Sequence, residues 1–193
     1  MCPTPSPRPR MYHDVDGVLF ANYTILPGAR ARYQLRPGVQ DWFGWVTPRF
    51  DIVWTTSWSA YELEQLLKSL YLHDVWTAST YLNWHTPSVP DGTDNTKADG
   101  VRRHLTGFSG SWLWLDDQPE VFPDDRWGLP HDHFVRVPDD GARNLIDLIP
   151  SLARRLKILP CPMPLFPLPA THLSPSSFYR PSLRHIRQGV SLN

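Results

Sequence analysis

Met11-Tyr12-His13-Asp14-Val15-Asp16-Gly17-Val18-Leu19-Phe20 is the stretch on which the reading of this chain turns. A short run, Met11-Tyr12-His13, has the character of a buried parallel strand and leads directly into two carboxylates at i and i+2. Open α/β sheets bind ligands in the crevice outside the carboxyl ends of their strands, so such a strand would deliver Asp14 to that crevice. Gly17 follows at once and lets the chain turn sharply with no Cβ in the way. Standing alone, D-x-D-G also fits a calcium loop or an ordinary acidic turn.

Three further segments, in a fixed order, supply what an aspartate nucleophile requires. Ile52-Val53-Trp54 runs into Thr55-Thr56-Ser57, an apolar strand with hydroxyls at its tip. Lys97 closes Asp94-Asn95-Thr96-Lys97 and heads a segment of helical character from Ala98 to Leu105. Trp112-Leu113-Trp114-Leu115 ends in Asp116-Asp117. Each has an ordinary alternative when taken singly. Thr55 could satisfy a strand-end backbone group, Lys97 could be a solvated helix-terminal charge, and Asp117 could cap a following helix. Together, hydroxyl, lysine and acidic pair all follow segments able to carry them to one sheet edge.

Composition bounds the rest. The 193 residues suffice for one α/β domain but not comfortably for two. Formal net charge is zero, so no global field steers the chain toward nucleic acid or an acidic membrane. Nine tryptophans are assigned mainly to the core, with Trp58 placed near the substrate because it follows the hydroxyl cluster. Cys2 and Cys161 lie in proline-rich terminal stretches and indicate neither a disulfide framework nor a zinc site. A cytoplasmic location is expected, with no signal peptide and no membrane span.

Along the chain, residues 1–10 read as a flexible proline-rich leader, 11–158 as the folded domain, and 159–193 as a proline-rich basic tail without regular structure, its protein partner unknown. Strands are expected at 11–15, 51–56, 74–77, 111–115 and 133–137. Residues 17–35 are read as a turn and hairpin flap over the site. Helices are expected at 40–46, 61–72 and 141–156, the last broken or kinked at Pro150. Alternation of strands with helices favours a Rossmann-like α/β/α sandwich with a mostly parallel, five-stranded sheet. The short linkers leave no room for a large cap domain, so the site should be open. His131-Asp132-His133 lacks a third ligand and is assigned to loop and strand, not metal. His13 alternates away from Asp14 and is assigned to packing or hydrogen bonding; Arg36 fits a substrate phosphate contact and a structural turn equally.

The order of motifs resembles the haloacid dehalogenase (HAD) superfamily over roughly residues 10–158. Motif one is similar to Asp14-Val15-Asp16-Gly17, motif two to Thr55, motif three to Lys97 and motif four to Asp116-Asp117. Leu35-Arg36-Pro37-Gly38-Val39, an aromatic helix and then Asp51 to Thr55 also resemble the capless phosphatases of this superfamily. They are similar as well to the small HAD domains of nucleic-acid repair proteins. The resemblance implies a phosphoric monoester hydrolase in which Asp14 is the nucleophile and Asp16 the general acid and base. Thr55, Thr56 and Lys97 would bind phosphate. Asp14, Asp16 (through its backbone carbonyl), Asp116 and Asp117 would hold magnesium. Superfamily dehalogenases lack the second aspartate and transport ATPases carry threonine there, so Asp16 points to a phosphatase or a phosphomutase. A mutase needs a cap to retain its intermediate, which leaves the phosphatase.

Within that reading the expected substrates are phosphorylated nucleic-acid ends or nucleotides first, phosphoprotein second and small metabolites third. Two alternatives remain at this level. One is a phosphate- or nucleic-acid-binding module of the same fold with little turnover. The other is a phosphotransferase that uses an acceptor alcohol in place of water.

Overall fold

A computed structural model describes residues 7–24, 32–82, 97–117, 129–138 and 144–156. The proline-rich tail, most of the leader and the residues just before Lys97 lie outside these ranges. β1 (Arg10–His13) is followed by an antiparallel pair, β2 (Phe20–Thr24) and β3 (Arg32–Leu35), then α1 (Val39–Val46) and β4 (Asp51–Trp54). Next come α2 (Ala60–Ser69), α3 (His73–Thr77), β5 (Thr80–Tyr81), α4 (Lys97–Leu105) and β6 (Trp112–Asp116). A 3-10 turn (His131–His133), β7 (Phe134–Arg136), a second 3-10 turn (Leu145–Leu148) and α5 (Ile149–Arg155) complete the described elements. Five strands form one parallel sheet in the order β5-β4-β1-β6-β7, and β2-β3 stands apart as the expected hairpin.

Period-two alternation of side chains builds a core on each face. Met11, Ile52, Trp54, Leu113, Leu115 and Val135 face one side, where Trp42 and Phe43 of α1, Leu63 and Leu67 of α2 and Leu152 of α5 cover them. Tyr12, Val53, Trp112, Trp114 and Phe134 face the other, beneath Ala98 and Val101 of α4. The sandwich is therefore α/β/α, as expected, and no cap domain is evident among the described residues. Central strands buried on both faces read as unbroken apolar runs, which is why they were visible in the sequence. α2 begins where Ser59 and Glu62 form a reciprocal capping box, Glu62 N donating to Ser59 Oγ at 3.2 Å and Ser59 N to Glu62 Oε2 at 2.8 Å.

Two assignments change. Residues 74–77 are not a strand; they belong to α3, and the edge strand is Thr80–Tyr81. Leu72, Val75 and Trp76 sit at i, i+3 and i+4, which puts all three on one side of a helical turn against the core. The helix expected at 141–156 begins later among the described residues, and 141–143 lie outside them: Leu145–Leu148 form a 3-10 turn and α5 starts at Ile149. The break expected at Pro150 thus falls one residue before it, which leaves Pro150 in the first turn of α5. There the missing N–H of proline leaves no helical bond unmade.

β1 and β4 are shorter than expected at their carboxyl ends. The residues that fall beyond the observed strand ends are Asp14 and Val15 after β1 and Thr55 and Thr56 after β4. Asp14 and Thr55 thus stand at the strand ends, buried at the edge of the crevice.

Candidate active site

β1 occupies the centre of the sheet, with β4 on one side and β6 on the other. Its last residue, His13, pairs with Trp54 and with Leu115, so the next step of each strand sets Asp14 beside Thr55 and Asp116. Two bonds continue the ladder to that edge: Asp14 N donates to Leu115 O at 3.2 Å and Thr55 N to His13 O at 2.9 Å. The strand order reverses direction around β1, which makes this crevice the topological switch point.

Asp14 is buried. One carboxylate oxygen accepts from Val15 N at 2.8 Å and the other from the Lys97 ammonium, which α4 presents from its first residue. Lys97 also reaches Asp116 Oδ2 at 3.4 Å. Asp14, Asp116 and Asp117 each offer an oxygen within 4.8 Å of the others. Burial is the largest influence on the Asp14 carboxyl and raises it to about 7; Lys97 opposes that rise and Asp116 reinforces it. Asp117 is pushed up to about 6 by burial first and by the Asp116 charge second. Burial alone would lower Lys97, but Asp14 and Asp116 outweigh it and hold the ammonium above the ordinary lysine value.

Asp16 is held by the loop that follows β4. Trp58 Nε1 donates to its Oδ1 at 2.9 Å and Ser57 Oγ to its Oδ2 at 3.3 Å. Trp58 is itself fixed: its ring stacks on Phe20, centroids 5.7 Å apart at 9°, and its backbone carbonyl accepts from Tyr81 Oη at 2.7 Å. Trp58 is expected near the substrate and Ser57 is read only as part of the hydroxyl cluster, whereas Tyr81 is not singled out by the sequence. Helical or strand periodicity carries no sign of a serine and a tryptophan serving one carboxylate 41 and 42 residues away.

Thr55 and Thr56 are both buried at the β4 tip. The Thr56 hydroxyl accepts from Trp58 N at 3.2 Å, and the Thr55 hydroxyl has no hydrogen-bond partner among the described residues. His13 is packed among Trp42, Phe43 and Trp54. Trp42 Nε1 donates to its Nε2 at 3.0 Å, which leaves Nδ1–H to donate to the Asp14 carbonyl at 2.6 Å. Arg36 is buried and donates to Gly17 O at 2.8 Å and Pro138 O at 2.7 Å, so it ties the D-x-D-G turn to the loop after β7. His131 and His133 lie in the 3-10 turn, where the ring of His133 packs tilted against Trp112, centroids 4.2 Å apart at 32°, and its Nδ1 lies 2.9 Å from Trp112 O.

Burial lowers the His13 imidazole to about 4, against the weaker upward pull of its bond to the Asp14 carbonyl. Between pH 6.5 and 4 the unfolded chain takes up a proton that the folded chain refuses, so stability is lost as pH falls through that window. The loss should reach about 3 kcal/mol. Urea unfolding at pH 6.5 and 4.5, compared with His13→Asn, checks it; an equal pH response in the variant would assign the loss to other groups.

Gly17 has φ +69°, and a Cβ there would overlap the Asp117 carboxylate. Gly17→Ala should therefore cost about 1–2 kcal/mol for the left-handed backbone. It should also displace the Asp117 carboxylate, which the added Cβ would overlap. Urea unfolding of the variant beside the parent chain reads the cost, and equal stability would show that the turn relaxes without strain.

The family model described as the HAD domain in Swiss Army Knife RNA repair proteins matches residues 11–141. That match spans more than half of the chain, and the chain belongs to this family within the HAD superfamily. No curated protein matches the sequence. Family membership supports a HAD-type phosphatase or hydrolase role. Among the described residues no helix is long and apolar enough to cross a membrane.

Proposed function

We propose that this chain is a magnesium-dependent phosphomonoester hydrolase that works through an aspartyl-phosphate on Asp14. The observation that carries this reading is the seating of Asp14. It is buried at the end of the central strand, between Thr55 and Asp116 and in contact with Lys97, with Asp16 held on separate supports. A structural ion pair would explain Lys97 alone; it would not explain three converging carboxylates, two of them buried.

The donor set fits a hard divalent cation. Three carboxylates within 4.8 Å, two of them raised by burial and mutual repulsion, demand more positive charge than one lysine provides. Asp14, Asp116, Asp117 and the Asp16 carbonyl would hold magnesium, which when bound neutralises phosphoryl oxygens and offsets their repulsion of a carboxylate. Lys97 adds a fixed positive charge against Asp14 and the incoming phosphoryl group. Thr55 Oγ brings a buried hydroxyl that a phosphoryl oxygen would satisfy, and Thr56 N–H is a second donor. Phosphoryl transfer is mostly positioning and electrostatics, so these donors complete the requirement.

Asp14 attacks phosphorus in line; the new O–P bond forms as the ester O–P bond breaks. Asp16 gives its proton to the departing alkoxide. It then takes a proton from the water that attacks the aspartyl-phosphate, releasing inorganic phosphate and regenerating Asp14. A positioned acid–base group of this kind contributes about 10²–10⁴-fold. The RNA-repair description of the family supports a nucleic-acid-related phosphoester as substrate, and among the described residues no cap domain stands over the strand ends to limit its size. Release of phosphate from nitrophenyl phosphate with and without magnesium, beside Asp14→Asn, tests the chemistry. A panel of 3′- and 5′-phosphorylated oligonucleotides and free nucleotides then ranks the substrates.

A further inference from the structure

We infer that Trp58 and Ser57 divide the labour of the two Asp16 oxygens: Trp58 anchors Oδ1, so that Oδ2, the oxygen facing Ser57, carries the proton to the leaving group. The inference rests on the phosphatase reading above and deepens it. Indole Nε1–H can only donate, so the oxygen bound to it at 2.9 Å serves as acceptor in both protonation states of Asp16. A hydroxyl can do either. Ser57 Oγ, 3.3 Å from Oδ2, donates while Asp16 is ionised and accepts once Oδ2 carries a proton. The pair therefore follows the carboxyl through the whole cycle without a side chain having to move.

Trp58 suits this task because its own freedom has been removed. It is buried, stacked on Phe20 at the root of the β2–β3 hairpin, and bonded through its carbonyl to Tyr81 on the edge strand β5. An indole that served only as core would not need its N–H aimed at a catalytic carboxylate. Trp58 and Ser57 are positioning residues here. In the first step the proton on Oδ2 passes to the alkoxide oxygen, leaving Asp16 ionised, as the ester O–P bond breaks and the Asp14 O–P bond forms. In the second, Oδ2 accepts a water proton as the water O–P bond forms and the Asp14 O–P bond breaks. No other reactant is required.

The consequence is a dependence on the leaving group. A nitrophenolate departs with little protonation, whereas an alkoxide, such as a ribose hydroxyl oxygen, needs the proton. The quantity to measure is kcat/KM, which reports the first transfer to Asp14 and excludes the later water attack. With magnesium present, Trp58→Phe keeps a ring on Phe20 and removes the N–H. It should lower the ratio of kcat/KM for an alkyl phosphate to that for nitrophenyl phosphate by about tenfold or more. Ser57→Ala should shift the ratio in the same direction by less, and Asp16→Asn by more. If the phenylalanine variant folds poorly, site-specific β-(3-benzothienyl)alanine at position 58 keeps the bulk and puts sulfur in place of N–H. A ratio unmoved within about twofold in the folded position-58 protein, with both substrates slowed alike, overturns the positioning role while leaving the phosphatase intact. Full turnover in Asp14→Asn would instead remove the phosphatase reading itself, so the two failures are distinguishable.

Discussion

Asp14→Asn is expected to abolish phosphate release and, in the same protein without metal, to raise thermal stability. The amide is nearly isosteric with the carboxylate but cannot attack phosphorus, so turnover should fall to the uncatalysed background with nitrophenyl phosphate. Stability should move the other way because the native carboxylate is expensive. Burial raises Asp14 to about 7, above its ordinary 3.8, despite the Lys97 contact. For an acid raised on folding, the penalty is absent below the unfolded value and complete above the folded one. At pH 8 it amounts to up to about 4 kcal/mol. Relief of part of it should lift Tm by about 5–10 °C, at about 2–4 °C per kcal/mol for a domain this size. Loss of activity together with gain of stability is the signature of a strained functional group. Scanning calorimetry and phosphate release on one preparation read both. Retained turnover would eliminate Asp14 as nucleophile, and an unchanged Tm would contradict the electrostatic account.

Magnesium should stabilise the folded chain strongly at pH 8 and weakly at pH 5.5. Binding to the native state alone at a hundred times Kd contributes about 2.7 kcal/mol, or about 5–10 °C in Tm. The pH dependence follows from the protons that must leave first. Asp14 at about 7 and Asp117 at about 6 are ionised at pH 8 and largely protonated at pH 5.5. A cation competes with those protons, so its apparent affinity falls as pH falls through that window. The metal-free protein should show the opposite slope from these two groups, gaining stability as pH drops from 8 to 6. Thermal shift with magnesium and then excess chelator, at both pH values, checks it. A shift independent of pH would place the ion elsewhere, and no shift at pH 8 would remove Asp14, Asp116 and Asp117 as a cation site.

Much of the site was legible because its residues sit at the ends of apolar runs. Asp14, Thr55 and Asp116 follow β1, β4 and β6 directly, and a parallel strand buried on both faces has an unmistakable composition. Where the apolar signal was short it misled. Val75-Trp76 reads as part of a strand until Leu72 is counted with it at helical spacing, and the true edge strand, Thr80–Tyr81, is too brief to register. Arg36 illustrates a different limit. Its side chain bridges Gly17 and Pro138, and nothing local to Arg-Pro-Gly announces a partner 102 residues away.

The linear chain by itself determined an α/β sandwich and the identity of four chemical groups at strand and helix ends, since burial and periodicity are local properties of composition. Only the folded arrangement decided which group supports which: Lys97 between Asp14 and Asp116, Trp58 and Ser57 on Asp16, and Gly17 under Asp117. Those pairings depend on strand order and on directions of side chains from separate elements. The order β5-β4-β1-β6-β7 sets distant segments side by side through hydrogen bonds that every residue's backbone can make, so no residue type encodes it alone.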